Sequence, residues 1–139
     1  MKANRSMPAS IVIPVLAYPD VRAAVGWLCA AFGFVERLRI GDHRAQLELD
    51  GGAIVVARGS SDTAAKVSSH SIMVRVADVN AHYEHSTRSG VATGGAPADY
   101  PYGERQYSAV DLAGNVWTFS QTLDDVDPAN WGGQLLRNL

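Results

Sequence analysis

Four histidines and a single cysteine are the side chains of this chain best suited to metal or nucleophilic chemistry. Their spacing does not assemble a site. His43 and Glu48 begin and nearly end one alternating stretch; extended, they stand about 17 Å apart and cannot share an ion. His82 and His85 lie three apart in a helical segment with Glu84 between them. No third ligand accompanies them, so the group reads as a solvated helix face. Cys29 sits among apolar residues of helical spacing and reads as a small hydrophobe. It has no partner for an internal disulfide. No Gly-x-Ser-x-Gly or phosphate-cradling glycine loop is present, and Gly94-Gly95 before Pro97 is a turn. What remains is recognition chemistry: Arg75, and the aromatics Tyr100, Tyr102, Trp117 and Trp131. Guanidinium groups orient carboxylates, carbonyls or planar rings. Aromatics beside a pocket stack on flat ligands.

Composition narrows the partners. At 139 residues, 47% apolar and 19% charged, the chain is expected to be one domain, 1–139, with a real core. A formal charge of −2 without a basic block argues against nucleic acid. No apolar run is long enough for a membrane span, and residues 1–7 lack a signal-peptide core. The expected location is cytoplasmic.

The elements that must carry these residues come in two similar halves. Asp20, Val21 and Ala23 fall on Asp78, Val79 and Ala81 at an offset of 58; Gly33 falls on Gly90 at 57. Gly52 to Ala57 falls on Gly114 to Phe119 at 62. Two copies indicate a duplicated half-domain. In the first, Ile11 to Tyr18 reads as a strand, with Pro14 suggesting an edge or bulge. Asp20 caps a helix whose apolar face is Val21, Ala24, Val25, Leu28 and Phe32, and Gly33 ends it. Strands follow at 34–40, 43–49 and 54–57. Arg58 to Ser69 is a connector. The second half repeats the order: a strand at 71–76, a helix from Asp78 to near Gly90, then strands at 91–93, 105–110 and 115–120. Residues 94–103 read as a long loop, and the tail carries a short helix around Leu135-Leu136. The modules are 10–58 and 69–121, with a tail 122–139. The fold class is α+β: two βαβββ repeats.

Pro14-Val-Leu-Ala-Tyr-Pro-Asp20, Trp27-Leu28, Phe32-Gly-Phe34, Tyr102-Gly-Glu-Arg105 and Asp111-Leu-Ala-Gly-Asn-Val-Trp-Thr-Phe119 together resemble the vicinal-oxygen-chelate superfamily, the glyoxalase/bleomycin-resistance/dioxygenase group. The resemblance runs from about Ile11 to Gln121. It implies a cupped, mixed, mostly antiparallel eight-stranded sheet with helices behind it, a ligand in the cup, and frequent homodimers. Metal-dependent members bind Zn, Mn, Ni, Fe or Co through His, Glu or Gln on the first and last strands of each module. Aligning on the repeat puts those positions at Ile13, Ser71, Val56 and Thr118. None is His, Glu or Gln. His70, next to Ser71, enters such a site only if the strand register slips by one.

The expected function is therefore metal-free, cofactor-free binding of a small aromatic or antibiotic-like molecule, with Ile13, Val56, Ser71, Met73, Arg75, Tyr102, Thr118 and Trp131 as ligand-binding residues. No catalytic residue is assigned. Arg75 has an alternative role in a rim salt bridge, Trp117 is expected to pack under the helix, and Arg105 to brace the loop through backbone carbonyls. The rival reading is a metal-dependent lyase, isomerase or dioxygenase with a non-standard site, or an enzyme using Arg75 and Tyr102. A third is an interaction module whose cup is filled by its own side chains.

Overall fold

The computed structural model describes residues 2–59 and 70–136. They form two compact units divided near residue 67, the turn Leu112–Gly114 grouping with the first. Most of the connector expected at 58–69 lies outside the described residues. No helix among them is long and apolar enough to cross a membrane.

The first unit holds β1 (Val15–Tyr18), α1 (Val21–Phe32), β2 (Val35–Ile40), β3 (Arg44–Leu49) and β4 (Gly52–Arg58). The sheet order is β1-β4-β3-β2, with β1 parallel to β4 and the other pairs antiparallel. Pro14 precedes β1, an edge strand, and its carbonyl accepts the Val55 N–H at 2.9 Å. Having no N–H, proline is tolerated where no neighbour needs one. Asp20 accepts the Ala23 N–H at 3.0 Å, and Gly33 closes α1 in the left-handed region at φ 80°, as the sequence predicts. The apolar face of α1 packs with Leu16, Tyr18, Phe34, Ala45, Leu47, Ile54 and Val56 in the unit's core. Arg22 on α1 forks onto Glu36 of β2, and Arg39 joins from the same strand. Hydrogen bonds from Arg39 and Arg22 hold the Glu36 carboxyl down at about 2.

The second unit holds β5 (Ile72–Arg75), α2 (Val79–Arg88), β6 (Ala92–Thr93), β7 (Ala98–Tyr100), β8 (Glu104–Val110) and β9 (Val116–Thr122). The order is β5-β9-β8-β6, with β7 also on β8. The α+β class and the repeated βαβββ order stand as the sequence implied. The difference is β7: residues 94–103 are not all loop, because Ala98 to Tyr100 pair with Gln106 to Glu104. Among the described residues no helix stands at Leu135-Leu136; the tail makes a 3-10 turn at Pro128–Trp131, capped by Asp127. Proline at the first position and an aspartate before it favour a turn start there.

One residue holds the β8–β9 hairpin. The buried Asp111 carboxylate accepts the Asn115 N–H (2.9 Å), the Asn115 side-chain amide (3.1 Å) and the Trp117 indole N–H (3.1 Å). Trp117 is fully buried beneath Phe119, on the α2 side as expected. This turn also corrects the repeat alignment. Leu16 pairs with Val56, whereas its repeat counterpart Val74 pairs with Phe119. The last-strand offset is therefore 63, not 62. Two residues separate Leu49 from its partner Gly52, but three separate Asp111 from Asn115, so matching the glycines misaligns the strands by one.

The α2 side also corrects the reading of His82. His85 and Glu84 are exposed, but His82 turns inward. Its ring lies 4.0 Å from that of Phe119, and Nδ1 is 2.5 Å from the Tyr107 hydroxyl, which also meets Ser86 Oγ at 2.8 Å. A neutral imidazole can accept the phenol proton while Ser86 donates to the phenol oxygen. Burial, then the nearby His85 charge, lowers the His82 pKa to about 4.

Two outcomes are expected. Asp111→Ala strands the buried Trp117 N–H and removes the acceptor of the half-buried Asn115 donors, and should lower unfolding free energy by about 2–4 kcal/mol in urea titration. For His82, the folded pKa lies below the unfolded value, so the unfolded chain binds the extra proton first. Its contribution is full above about pH 6.5 and is lost as pH falls towards 4, by about 1–2 kcal/mol after solvent screening. Melting curves of His82→Phe across that range should show a shallower acid loss than wild type.

Candidate binding face of the second sheet

In a paired strand, alternate residues face opposite sides. In the second unit, Trp117, Phe119, Tyr107 and Ala109 face α2 and are buried. The opposite face carries Met73 and Arg75 from β5, Thr118, Ser120 and Thr122 from β9, Glu104, Gln106 and Ser108 from β8, and Tyr100 from β7. Met73, Arg75 and Thr118 thus share one face, and Met73 is 64% exposed. Ser71 is exposed just before β5, in phase with Met73. His70 precedes it in phase with Ile72, whose neighbours are Trp117 and the α2 side.

The polar groups on this face are joined. Tyr102 Oη donates to Gln106 Oε1 (3.3 Å), Gln106 Nε2 to Ser120 Oγ (3.0 Å), and Ser120 Oγ to Glu104 Oε1 (2.6 Å). Arg75 Nη2 donates to Thr122 Oγ1 (3.0 Å), and Ser108 and Thr118 hydroxyls meet at 3.3 Å. The Ser120 hydrogen bond first, then that of Thr122 and the Arg75 charge, hold the Glu104 carboxyl below its usual range. Glu104 is therefore a carboxylate at neutral pH, an acceptor of hydrogen bonds rather than an acid. Arg75 donates to a threonine hydroxyl and acts on the Glu104 carboxylate through its charge.

An aromatic cluster borders this ledge. Tyr100 and Tyr102 stack with ring centres 5.5 Å apart, and Trp131 meets Tyr102 edge-on at 5.5 Å. The hairpin that presents them depends on Gly103, at φ 82°, whose carbonyl accepts the Leu123 N–H at 2.8 Å. A Cβ there would run into the Asp124 carbonyl and lie 2.9 Å from Val126 Cγ2. Arg105 braces the same hairpin, but through the Asp99 carboxylate (2.6 and 3.2 Å) rather than backbone carbonyls. Tyr102 and Trp131 are thus brought together.

Ile13 and Val56 belong to the first unit. Ile13 is half-buried ahead of β1. Val56 is wholly buried on the α1 side, paired with Leu16. Its assignment to a ligand face is corrected: the repeat counterpart of Thr118 is Val55, paired with Val15 on the face away from α1. The cause is the extra residue in the β8–β9 turn. Alternation from Thr118 reaches Ser120, but sequence reasoning passes over Glu104 and Gln106. The signal was there: Glu104-x-Gln106-x-Ser108 is polar at every second position and faces Thr118-x-Ser120-x-Thr122.

With the register corrected, the positions to which the resemblance assigns metal ligands are Ile13 and Val55 in the first unit, and Ser71 and Thr118 in the second. Two aliphatic side chains and two neutral hydroxyls do not fit a divalent transition metal, which takes imidazole, carboxylate or thiolate donors. Among the described residues, no three His, Cys, Asp or Glu side chains stand close enough to hold an ion.

The family model of the Glyoxalase/Bleomycin resistance protein/Dioxygenase superfamily matches residues 10–119. No curated protein matches the sequence. Among solved structures, TioX from Micromonospora sp. ML1 is 36% identical, covering 83% of this chain and 100% of its own, with a TM-score of 0.70. A glyoxalase/bleomycin resistance protein/dioxygenase from Nocardioides is 22% identical over 91% of this chain and 89% of its own, TM-score 0.66. The fosfomycin resistance protein FosX from Listeria monocytogenes shares the fold at 15% identity, over 83% and 94%, TM-score 0.66. The family match over most of the chain and the likeness to TioX agree with the paired βαβββ units: this chain belongs to the glyoxalase/bleomycin resistance protein/dioxygenase superfamily.

Proposed function

We infer that this protein binds a small aromatic, antibiotic-like molecule without a metal and sequesters it rather than converting it. The observation that carries this reading is the joined polar ledge of Glu104, Gln106 and Ser120 bordered by Tyr100, Tyr102 and Trp131. Stacking supplies affinity for a flat ring, and the ledge reads its N–H and carbonyl groups. Met73 adds a soft, adaptable contact. Arg75, held by Thr122, supplies a cation for an acidic or carbonyl oxygen. The metal-ligand positions lack donors for the electrophilic chemistry of metal-dependent relatives. The family to which the chain belongs includes bleomycin resistance proteins by its description, which supports the same direction. In this reading the two modules act as one domain, in a cytoplasmic homodimer.

The test is a thermal-shift and calorimetric screen against bleomycin and a panel of planar heteroaromatic antibiotics. A ligand at a hundred times its dissociation constant should stabilise the protein by about 2.7 kcal/mol. Tyr102→Ala and Trp131→Ala should each weaken binding about tenfold, equivalent to about 1.4 kcal/mol, with the circular dichroism spectrum unchanged. Stoichiometric uptake of Zn, Mn, Ni or Fe with turnover would instead favour the lyase, isomerase or dioxygenase alternative.

A further inference from the structure

The first sheet has its own face away from α1, and part of the chain already sits on it. Residues 4–7 form a tight turn. The Asn4 carbonyl accepts the Met7 N–H (3.2 Å), and Asn4 Oδ1 accepts the Ser6 N–H (3.0 Å). Closing the turn this way leaves the two middle carbonyls, of Arg5 and Ser6, directed outward. Both are read by the sheet. Arg37 Nη2 donates to the Arg5 carbonyl (2.9 Å), and Gln46 Nε2 to the Ser6 carbonyl (2.8 Å). The two readers are themselves joined, Arg37 Nη1 donating to Gln46 Oε1 at 2.6 Å.

This seat is built into the strands. Gln46 pairs with Leu38 and Val55, out of phase with Ala45 and Leu47, which face α1. The register shift between Glu36 and Leu38 places Arg37 at a bulge, a device that re-aims a side chain. Gln46 is only 5% exposed, a buried amide whose Nε2 donates and whose Oε1 accepts in this arrangement. Pro8, next along the strap, is buried, and Ser10 Oγ donates to the Gly51 carbonyl at 3.4 Å. Neither Arg37 nor Gln46 touches a strap side chain through these bonds. They recognise a pair of successive amide carbonyls presented by a turn, whatever residues form it.

We propose that Arg37 and Gln46 form a seat for the paired carbonyls of a peptide turn, filled in this chain by its own residues 4–8, and that another turn-forming peptide takes the seat when the strap is released. A tethered occupant competes at a high effective concentration, so an outside peptide enters only once the tether is weakened. The proposal concerns the first sheet and does not depend on aromatic binding by the second.

The experiment keeps the full chain. Met7→Pro removes the N–H that closes the turn, at an exposed position, and Pro8→Asp places a charge at a buried one. Amide hydrogen exchange should show the strap released in both variants while β3 and β4 stay protected. The probe is the acetylated, amidated peptide of residues 2–10, titrated by calorimetry into each released variant. Saturable one-to-one binding is expected, weakened at least about tenfold by adding Arg37→Ala with Gln46→Leu. A strap that remains protected in both variants, no binding to a released folded chain, or equal binding to the doubly substituted seat would each overturn the proposal.

Discussion

Everything on the second sheet depends on where the Asp111 carboxylate fixes the β8–β9 hairpin. Three donors converge on it, one of them the indole of a fully buried tryptophan. A strand has a period of two, so pinning Trp117 inward also pins Thr118 and Ser120 outward. On β8 the same register turns Tyr107 towards α2, and Glu104 and Gln106 to the other face. A slip of one residue would bury the polar ledge and expose the aromatic core. Hydrophobic burial of Trp117 and Phe119 is the larger energy, but it is non-directional. The carboxylate is what selects a single register.

The two units meet the same architectural demand with different chemistry. In the first, α1 presents a wide apolar stripe, and an Arg22–Glu36–Arg39 cluster ties the helix to β2. In the second, α2 is mostly polar, with Val79 and Ser86 its only fully buried residues among those described. Its adhesion relies on ring contacts of His82 and Tyr83 and on the Tyr107 hydroxyl bridging to His82 and Ser86. Gln121 adds a side-chain acceptor for the Val79 N–H at the helix start. A polar helix can thus be held by a few directed bonds where a stripe of aliphatic side chains is lacking, at the cost of sensitivity to protonation.

The faces turned away from the helices have also diverged. The second carries a hydrogen-bonded ledge and an aromatic border. In the first, the sequence lead-in is not a loose end but a turn held by Arg37 and Gln46. The tail is likewise committed: Leu123 and Asp124 both donate to the Gly103 carbonyl, and Trp131 closes on Tyr102. Segments outside the repeat therefore shape both faces.

The repeat, the helix caps at Asp20 and Asp78, the α1 stripe and the inward Trp117 were all legible in the sequence, because each rests on local spacing or a local cap. Alternation also puts Met73 and Arg75 on one face of their strand, and loop position points to Tyr102 and Trp131. Val56 was misplaced, because one extra residue in a hairpin turn is invisible when glycines are matched to glycines. Local spacing alone puts His82 on a solvated helix face, because its partners Phe119 and Tyr107 come from strands far along the chain. Glu104 and Gln106 acquire meaning only when β8 and β9 are paired. Local pattern fixes which residues alternate and where helices begin; pairing register and long-range contacts fix which alternate set looks outward, and only folding supplies those.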